Sequence, residues 1–178
     1  MPRLKTVAPE DAQGRLRKMY SGLQEKNGKV FNIFQGMANS PPALQAYLSM
    51  SDALSQGELL AQDREAVYLA VSQANECRYC VSAHTQVAKQ AGISDSEIKA
   101  ARNFESESSE HQALLAFVRR VMETKGFVDD ADVDKVHNAG YSDAQIAEAV
   151  GYIALATFSN YFNHVHDTPL DFPQAPGT

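Results

Sequence analysis

Two thiols and an imidazole stand within ten residues, "NECRYCVSAH" at 75–84, and the chain has no other cysteine. On a helix turning about 100° per residue, Cys77, Cys80 and His84 lie within roughly 60° of one another, while Arg78 and Tyr79 point elsewhere. The C-x-x-C-x3-H spacing therefore aims three reactive side chains at one spot. That geometry suits a dithiol that closes to a disulfide while a ring one turn away exchanges a proton with a thiol.

Three chemistries compete for these residues. A closed zinc site wants four ligands, usually as two pairs, yet here the fourth would come from His111, His137, His164, His166 or a carboxylate, none marked by spacing. Two cysteines serving only as small core hydrophobes would not need a histidine on their face. Redox chemistry is the reading the residues favour, with no metal expected. Which thiol attacks depends on two opposed effects. Cys77 lies nearer the helix N-terminus, with Asn75 as a cap, so the dipole favours its thiolate. Cys80 is four residues from His84, and a direct base outweighs a screened dipole, which leans the assignment towards Cys80 as nucleophile and Cys77 as resolving thiol. A proton-cycling histidine needs an orienting partner. Glu65, early in a helix expected to pack on the motif helix, is the candidate. Acidic residues also favour first turns for dipole reasons alone, and Asp63 is as well placed for that. Glu76 projects away from the cysteine face and reads as a solvated charge.

The elements that must position these groups are helical nearly throughout. A stripe of Ala12, Leu16, Met19, Tyr20 and Leu23 predicts a helix over 9–26, starting at Pro9 and stopped by Gly28. Ser40 as N-cap and Pro41 in the first turn open a second, carrying Leu44, Tyr47, Leu48 and Leu54 and ending at Gly57. Residues 62–75 are apolar nearly all round and predict a buried helix. Residues 76–91 predict the motif-bearing helix, ending at Gly92. Sustained period-2 alternation is lacking, so no strand is expected. The expected fold class is all-α, a compact helical bundle.

One pattern repeats at 48 residues: "AGISDSEIKAA" (91–101) and "AGYSDAQIAEA" (139–149) share a glycine stop and a capping box, at Ser94/Glu97 and Ser142/Gln145. The same shift lays 62–75 on "EHQALLAFVRRVME" and carries Cys77, Cys80 and His84 onto Lys125, Val128 and Asp132. The reading is a duplicated helical unit in which only the first copy keeps reactive groups. The tail, 167–178, is Pro-rich and reads as an extended arm over a neighbour or a frayed end.

The 178 residues, 44% hydrophobic and 21% charged, suit a single domain, 1–178, with a core about 40–165. A net charge of −6 argues against nucleic acid or an anionic membrane surface as partner. The longest apolar runs, "AVYLAV" and "YIALATF", fall far short of the roughly 20 residues a bilayer demands. The opening "MPRLKTVAPEDAQG" has no apolar leader region, so a reducing cytoplasm is expected, where a close cysteine pair is more often catalytic or metal-binding than a staple. His164 and His166 could border a pocket or form an H-x-H metal pair, against the plainer reading that they cap carbonyls or meet a subunit. Asn160 and Asn163 read as fixing a helix end or a subunit contact. His111 and His137 read as surface positions.

The pattern E-x11-C-x-Y-C-x3-H, filled by Glu65, Cys77, Tyr79, Cys80 and His84, resembles the signature of alkyl hydroperoxidase D-like proteins of the carboxymuconolactone decarboxylase superfamily. The flank "VFNIFQGMANSPPALQAYLSM" and the tail "NYFNHVHDTPLDFP" resemble its peroxidase-related subgroup, so the likeness spans about Val30 to Pro173. The resemblance implies an all-helical fold, dimers that commonly build trimers or hexamers, and thiol-dependent reduction of hydroperoxides. It makes Cys80 peroxidatic, Cys77 resolving, His84 the proton shuttle and Glu65 its partner. It also implies a small hydroperoxide substrate, an external thioredoxin-like or lipoylated dithiol as reductant, and no haem, flavin or metal. Some members carry a histidine just before the second cysteine, where this chain has Tyr79, so a relay through that extra ring is not expected here. The rival readings are a lactone decarboxylase, a zinc-stabilised or redox-sensing scaffold, and a thiol electron carrier for which peroxide is incidental.

Overall fold

Apolar-periodic segments punctuated by Ser caps and Gly stops fold into nine α-helices with no strand, in a computed structural model describing residues 1–178. They are α1 (Gly14–Asn27), α2 (Asn32–Met37), α3 (Pro41–Ser55), α4 (Ala61–Ala74), α5 (Arg78–Gln90), α6 (Asp95–Ala101), α7 (Ser109–Thr124), α8 (Asp130–Asn138) and α9 (Asp143–His166). Ser40 caps α3 as the sequence predicts, its Oγ accepting from the Ala43 amide at 3.4 Å. Both capping boxes form, at Ser94/Glu97 and Ser142/Gln145.

α9 is the axis of the fold and packs against α2, α3, α4, α5 and α7. One core lies where α4, α7 and α9 meet, built on Val67, Val71, Leu114, Val118 and Leu155. A second gathers the N-terminal helices, through Leu16, Tyr20, Ile33, Met37 and Leu44, around Cys77, Tyr79 and Cys80. The thiols thus sit at the base of an apolar cluster. The duplication is visible in the element order: α4 and α7, and likewise α6 and α9, begin 48 residues apart. In the second copy the position equivalent to His84 is Asp132, which pairs with Arg120 at 3.1 Å and completes the α8 capping box with Asp129. It has become a structural residue.

Two departures mark the N-terminal third. The helix predicted over 9–26 begins at Gly14; Pro9–Asp11 form a separate 3-10 turn, and Ala12 and Gln13 are extended. The reason is tertiary: the break drops Ala12 into the second core while the stripe Leu16, Tyr20, Leu23 resumes on α1. The short α2 has too few turns to show periodicity in sequence. It lies so close to α9 that a Cβ on Gly36 would sit 2.6 Å from the His166 ring, so only glycine permits this approach.

Candidate active site

The junction of α4 and α5 decides where the sulfurs go. Asn75 closes α4, the Glu76 amide donates to the Gln73 carbonyl at 2.9 Å, and the Cys77 amide donates to the Ser72 carbonyl at 2.9 Å. This is a Schellman stop, and Glu76 takes its left-handed position at φ 55°. The motif helix therefore starts at Arg78 rather than 76. Cys77, not Asn75, is its N-cap, with the Cys77 Sγ accepting from the Cys80 amide at 3.3 Å. A left-handed L-residue costs about 1–2 kcal/mol, and glycine gives back about 0.5–1 kcal/mol of that in unfolded-chain entropy. Glu76 is exposed, so losing its charge matters little. Glu76→Gly should stabilise the fold by about 0.5–1 kcal/mol and raise Tm by about 1–4 °C in thermal unfolding. An unchanged or lower Tm would contradict this account of the turn.

Both cysteines are free and buried, at 1% and 3% exposure for Cys77 and Cys80. Burial opposes ionisation of Cys80. The Cys77 thiol, the charge of His84 and the amides of Asn160 and Asn163 outweigh it and hold the Cys80 thiol down at about 7. The hydrogen bond with Cys80, then burial, push the Cys77 thiol up. The helix dipole that favoured Cys77 loses to these direct partners. Asn163, from α9, donates its Nδ2 to the Cys80 Sγ at 3.1 Å and reaches the Cys77 Sγ at 3.9 Å.

His84 completes the cluster. Its Nδ1 meets the Glu65 Oε2 at 2.8 Å across the α4–α5 pair, with side chains only 18% and 12% exposed. The Tyr68 ring stacks on the imidazole at 4.1 Å and 14°, fixing its plane. Burial would lower the His84 pKa, but the charge and hydrogen bond of Glu65 and the charge of Cys80 raise it. With Nδ1 held by the carboxylate, Nε2 is the nitrogen left to exchange a proton. Glu65 thus does more than serve the dipole.

Cys80, His84 and Glu65 line a cleft of about 720 Å³ that Cys77 does not line. Its walls are mainly apolar and aromatic: Phe31 at the start of α2, Phe34 within it, Tyr47 from α3, Tyr68 from α4 and Phe172 from the tail. The tail is not frayed; it folds back on its own chain. The Asp171 carboxylate accepts from the Tyr79 Oη at 2.7 Å and from the Asn32 amide at 2.8 Å, and pairs with Lys29 at 2.8 Å. These bonds clamp Phe172 against Phe31, with ring centroids 4.9 Å apart.

The remaining polar residues are sorted by tertiary contact. Asn160 is fully buried and joins α9 to the end of α4, donating to the Ser72 Oγ at 3.2 Å and accepting from Asn75 at 2.9 Å. Asn160 thus fixes the C-terminal end of α4 through its cap residue Asn75, whereas the Asn163 side chain is turned inward onto the sulfurs. Polar residues inside the apolar stretch 150–165 were the signal for this. His166 is fully buried beside Gly36 and Phe162 with both ring nitrogens unpartnered, and burial lowers its pKa, whereas His164 is exposed. The two form no H-x-H pair. His111 is not a plain surface residue: it lies 3.3 Å from Asp63, which is buried and also accepts from the Tyr141 Oη at 2.9 Å. His137 is at the surface beside Asp143 at 2.9 Å. No group of three or more His, Cys, Asp or Glu side chains is arranged to hold a metal ion, and no helix is long and apolar enough to cross a membrane.

Residues 41–123, which include Glu65, both cysteines and His84, match the carboxymuconolactone decarboxylase family. No curated protein matches the chain. Among solved structures, the fold is similar to a peroxidase-related protein with an alkylhydroperoxidase AhpD core from Ralstonia eutropha JMP134, at TM-score 0.87 and 23% identity over 96% of this chain and 92% of that one. It is similar to a peroxidase-related protein from Silicibacter sp. TM1040, at TM-score 0.79 and 21% identity over 95% and 94%. It is also similar to a cysteine-to-alanine variant of the debrominase Bmp8 in complex with 2,3,4-tribromopyrrole, at TM-score 0.77 and 20% identity over 96% and 94%. The family pattern thus covers the reactive motif, and the fold is similar to that of AhpD-like peroxidase-related proteins over nearly the whole length.

Proposed function

We propose that the protein is a thiol-dependent peroxidase that reduces hydroperoxides with Cys80 and resolves the product with Cys77. The observation that carries this reading is the division of the two sulfurs. Cys80 faces an apolar cleft beside a Glu65–His84 pair and is held near neutrality, whereas Cys77 lies behind it with its thiol raised. The Cys80 thiolate attacks the distal oxygen of ROOH; the S–O bond forms, the O–O bond breaks, and the electron pair leaves on the alkoxide. His84 gives its proton to the alkoxide, releasing ROH. Cys80, oxidised to sulfenic acid, condenses with the Cys77 thiol to a disulfide and water. An external dithiol, thioredoxin-like or lipoylated, returns the two electrons by exchange.

Cys77→Ser tests the cycle. With a suitable dithiol present, the variant should consume one equivalent of peroxide per chain and then stall, with a sulfenic acid on Cys80 that a dimedone-type probe traps. Sustained turnover at the parent rate without a trapped sulfenic acid would overturn the assignment of Cys77. A lactone decarboxylase would instead turn over a muconolactone with Cys80 replaced by serine.

A further inference from the structure

We infer that the side-chain amide of Asn163 is a catalytic group of this site, a fixed hydrogen-bond donor that holds the negative charge on the Cys80 sulfur and keeps both sulfurs against one nitrogen. The inference deepens the peroxidase reading and rests on it only for the identity of the reaction. Asn163 is 4% exposed, and its Nδ2 lies 3.1 Å from the Cys80 Sγ and 3.9 Å from the Cys77 Sγ. The two hydrogens of one amide nitrogen can therefore serve the two thiols at once. Its Oδ1 is buried with no partner, so the residue leaves its own acceptor unsatisfied while its donor end stays on the sulfurs. A residue placed for packing or for helix stability would satisfy both ends or be apolar.

The scaffold holds that amide in place. One turn earlier on α9, Asn160 is fastened to Ser72 and Asn75, at the turn that delivers Cys77. The Asn163 carbonyl accepts from the Asp167 cap and from the Thr168 amide at 3.2 Å. The donor is thus rigid, desolvated and aimed where charge develops, which is how preorganised amides stabilise anions in enzyme sites. Asn163 also lies outside the segment, 41–123, that carries the family pattern. The amide is supplied to the cysteine motif by a separate part of the chain.

The test is the pH dependence of Cys80 alkylation by iodoacetamide in the reduced full-length protein, read at that cysteine by peptide mass spectrometry. The parent midpoint is expected at about 7. In Asn163→Leu, which keeps the shape and removes the donor, the midpoint should rise by about one unit, so that at acidic pH Cys80 is alkylated about tenfold more slowly. In Asn163→Asp, which adds a like charge, it should rise further. A folded Asn163→Leu variant with the parent midpoint would overturn the inference. A second reading needs no variant to fold: in the parent protein the side-chain amide resonances of Asn163 should shift with pH at the same midpoint as Cys80 alkylation. Resonances unmoved through that titration would also overturn it. Neither measurement uses peroxide, so failure of the peroxidase reading would show separately as absent peroxide consumption with the titration shifts intact.

Discussion

Cys80→Ser should abolish peroxide consumption, lowering the rate by about 10⁴-fold or more, because a serine hydroxyl in this site has no accessible anionic form and sulfur is the atom that must accept oxygen. No other thiol can take over. Cys77 is the only other cysteine, does not line the cleft, and has its thiol raised by the Cys80 hydrogen bond and by burial. Removing Cys80 leaves the cleft walls as they are, so the loss should fall on the chemical step and not on folding. Peroxide disappearance followed by ferric–xylenol orange formation, with circular dichroism as the folding control, checks this. Parent-like consumption by the serine variant would remove the mechanism altogether.

The next largest effect belongs to the proton relay. His84→Ala should slow the reaction with peroxide by about 10²–10⁴-fold, the usual contribution of a positioned acid or base. Glu65→Gln should cost less, because the ring stays stacked on Tyr68 but loses the carboxylate that raises its pKa. The pH profile separates the two residues' effects from mere packing. In the parent protein the rate should climb as pH rises through about 7, where Cys80 ionises. It should fall again above the ordinary imidazole range, where His84 gives up the proton it must donate; its raised pKa places that limb to the alkaline side of 6.5. The limbs belong to the coupled thiol–imidazole pair and not to either group alone. Glu65→Gln should pull the alkaline limb down towards neutrality and, by weakening the positive charge beside Cys80, push the acid limb up, narrowing the bell from both sides. Initial rates across about pH 5–9 would reveal it. A profile unchanged in Glu65→Gln would show that the 2.8 Å contact has no part in the reaction.

The site is assembled from different segments of the chain. The cysteines, Glu65 and His84 all fall within residues 41–123, the family-matched segment. The aromatic walls Phe31, Phe34 and Phe172, and the amides of Asn160 and Asn163, lie outside it. In the proposed site, the cysteines and their Glu–His pair are housed in one hairpin, and much of the medium around them is built by the rest of the fold.

What the sequence alone determined follows from short-range physics. Helical content, the caps at Ser40, Ser94 and Ser142 and the convergence of Cys80 with His84 each depend on residues within a turn or two of one another, and the 48-residue repeat is read by comparing two such local patterns. Backbone geometry there leaves little freedom. The tertiary structure alone decided which sulfur meets the cleft, that Asn163 serves both thiols, that the tail clamps Phe172 at the site, and that His166 is buried instead of exposed like His164. Those outcomes join positions some 80 to 140 residues apart, where no local periodicity carries information. A buried asparagine and a capping asparagine are spelled identically until a neighbouring helix supplies, or withholds, the partner that distinguishes them.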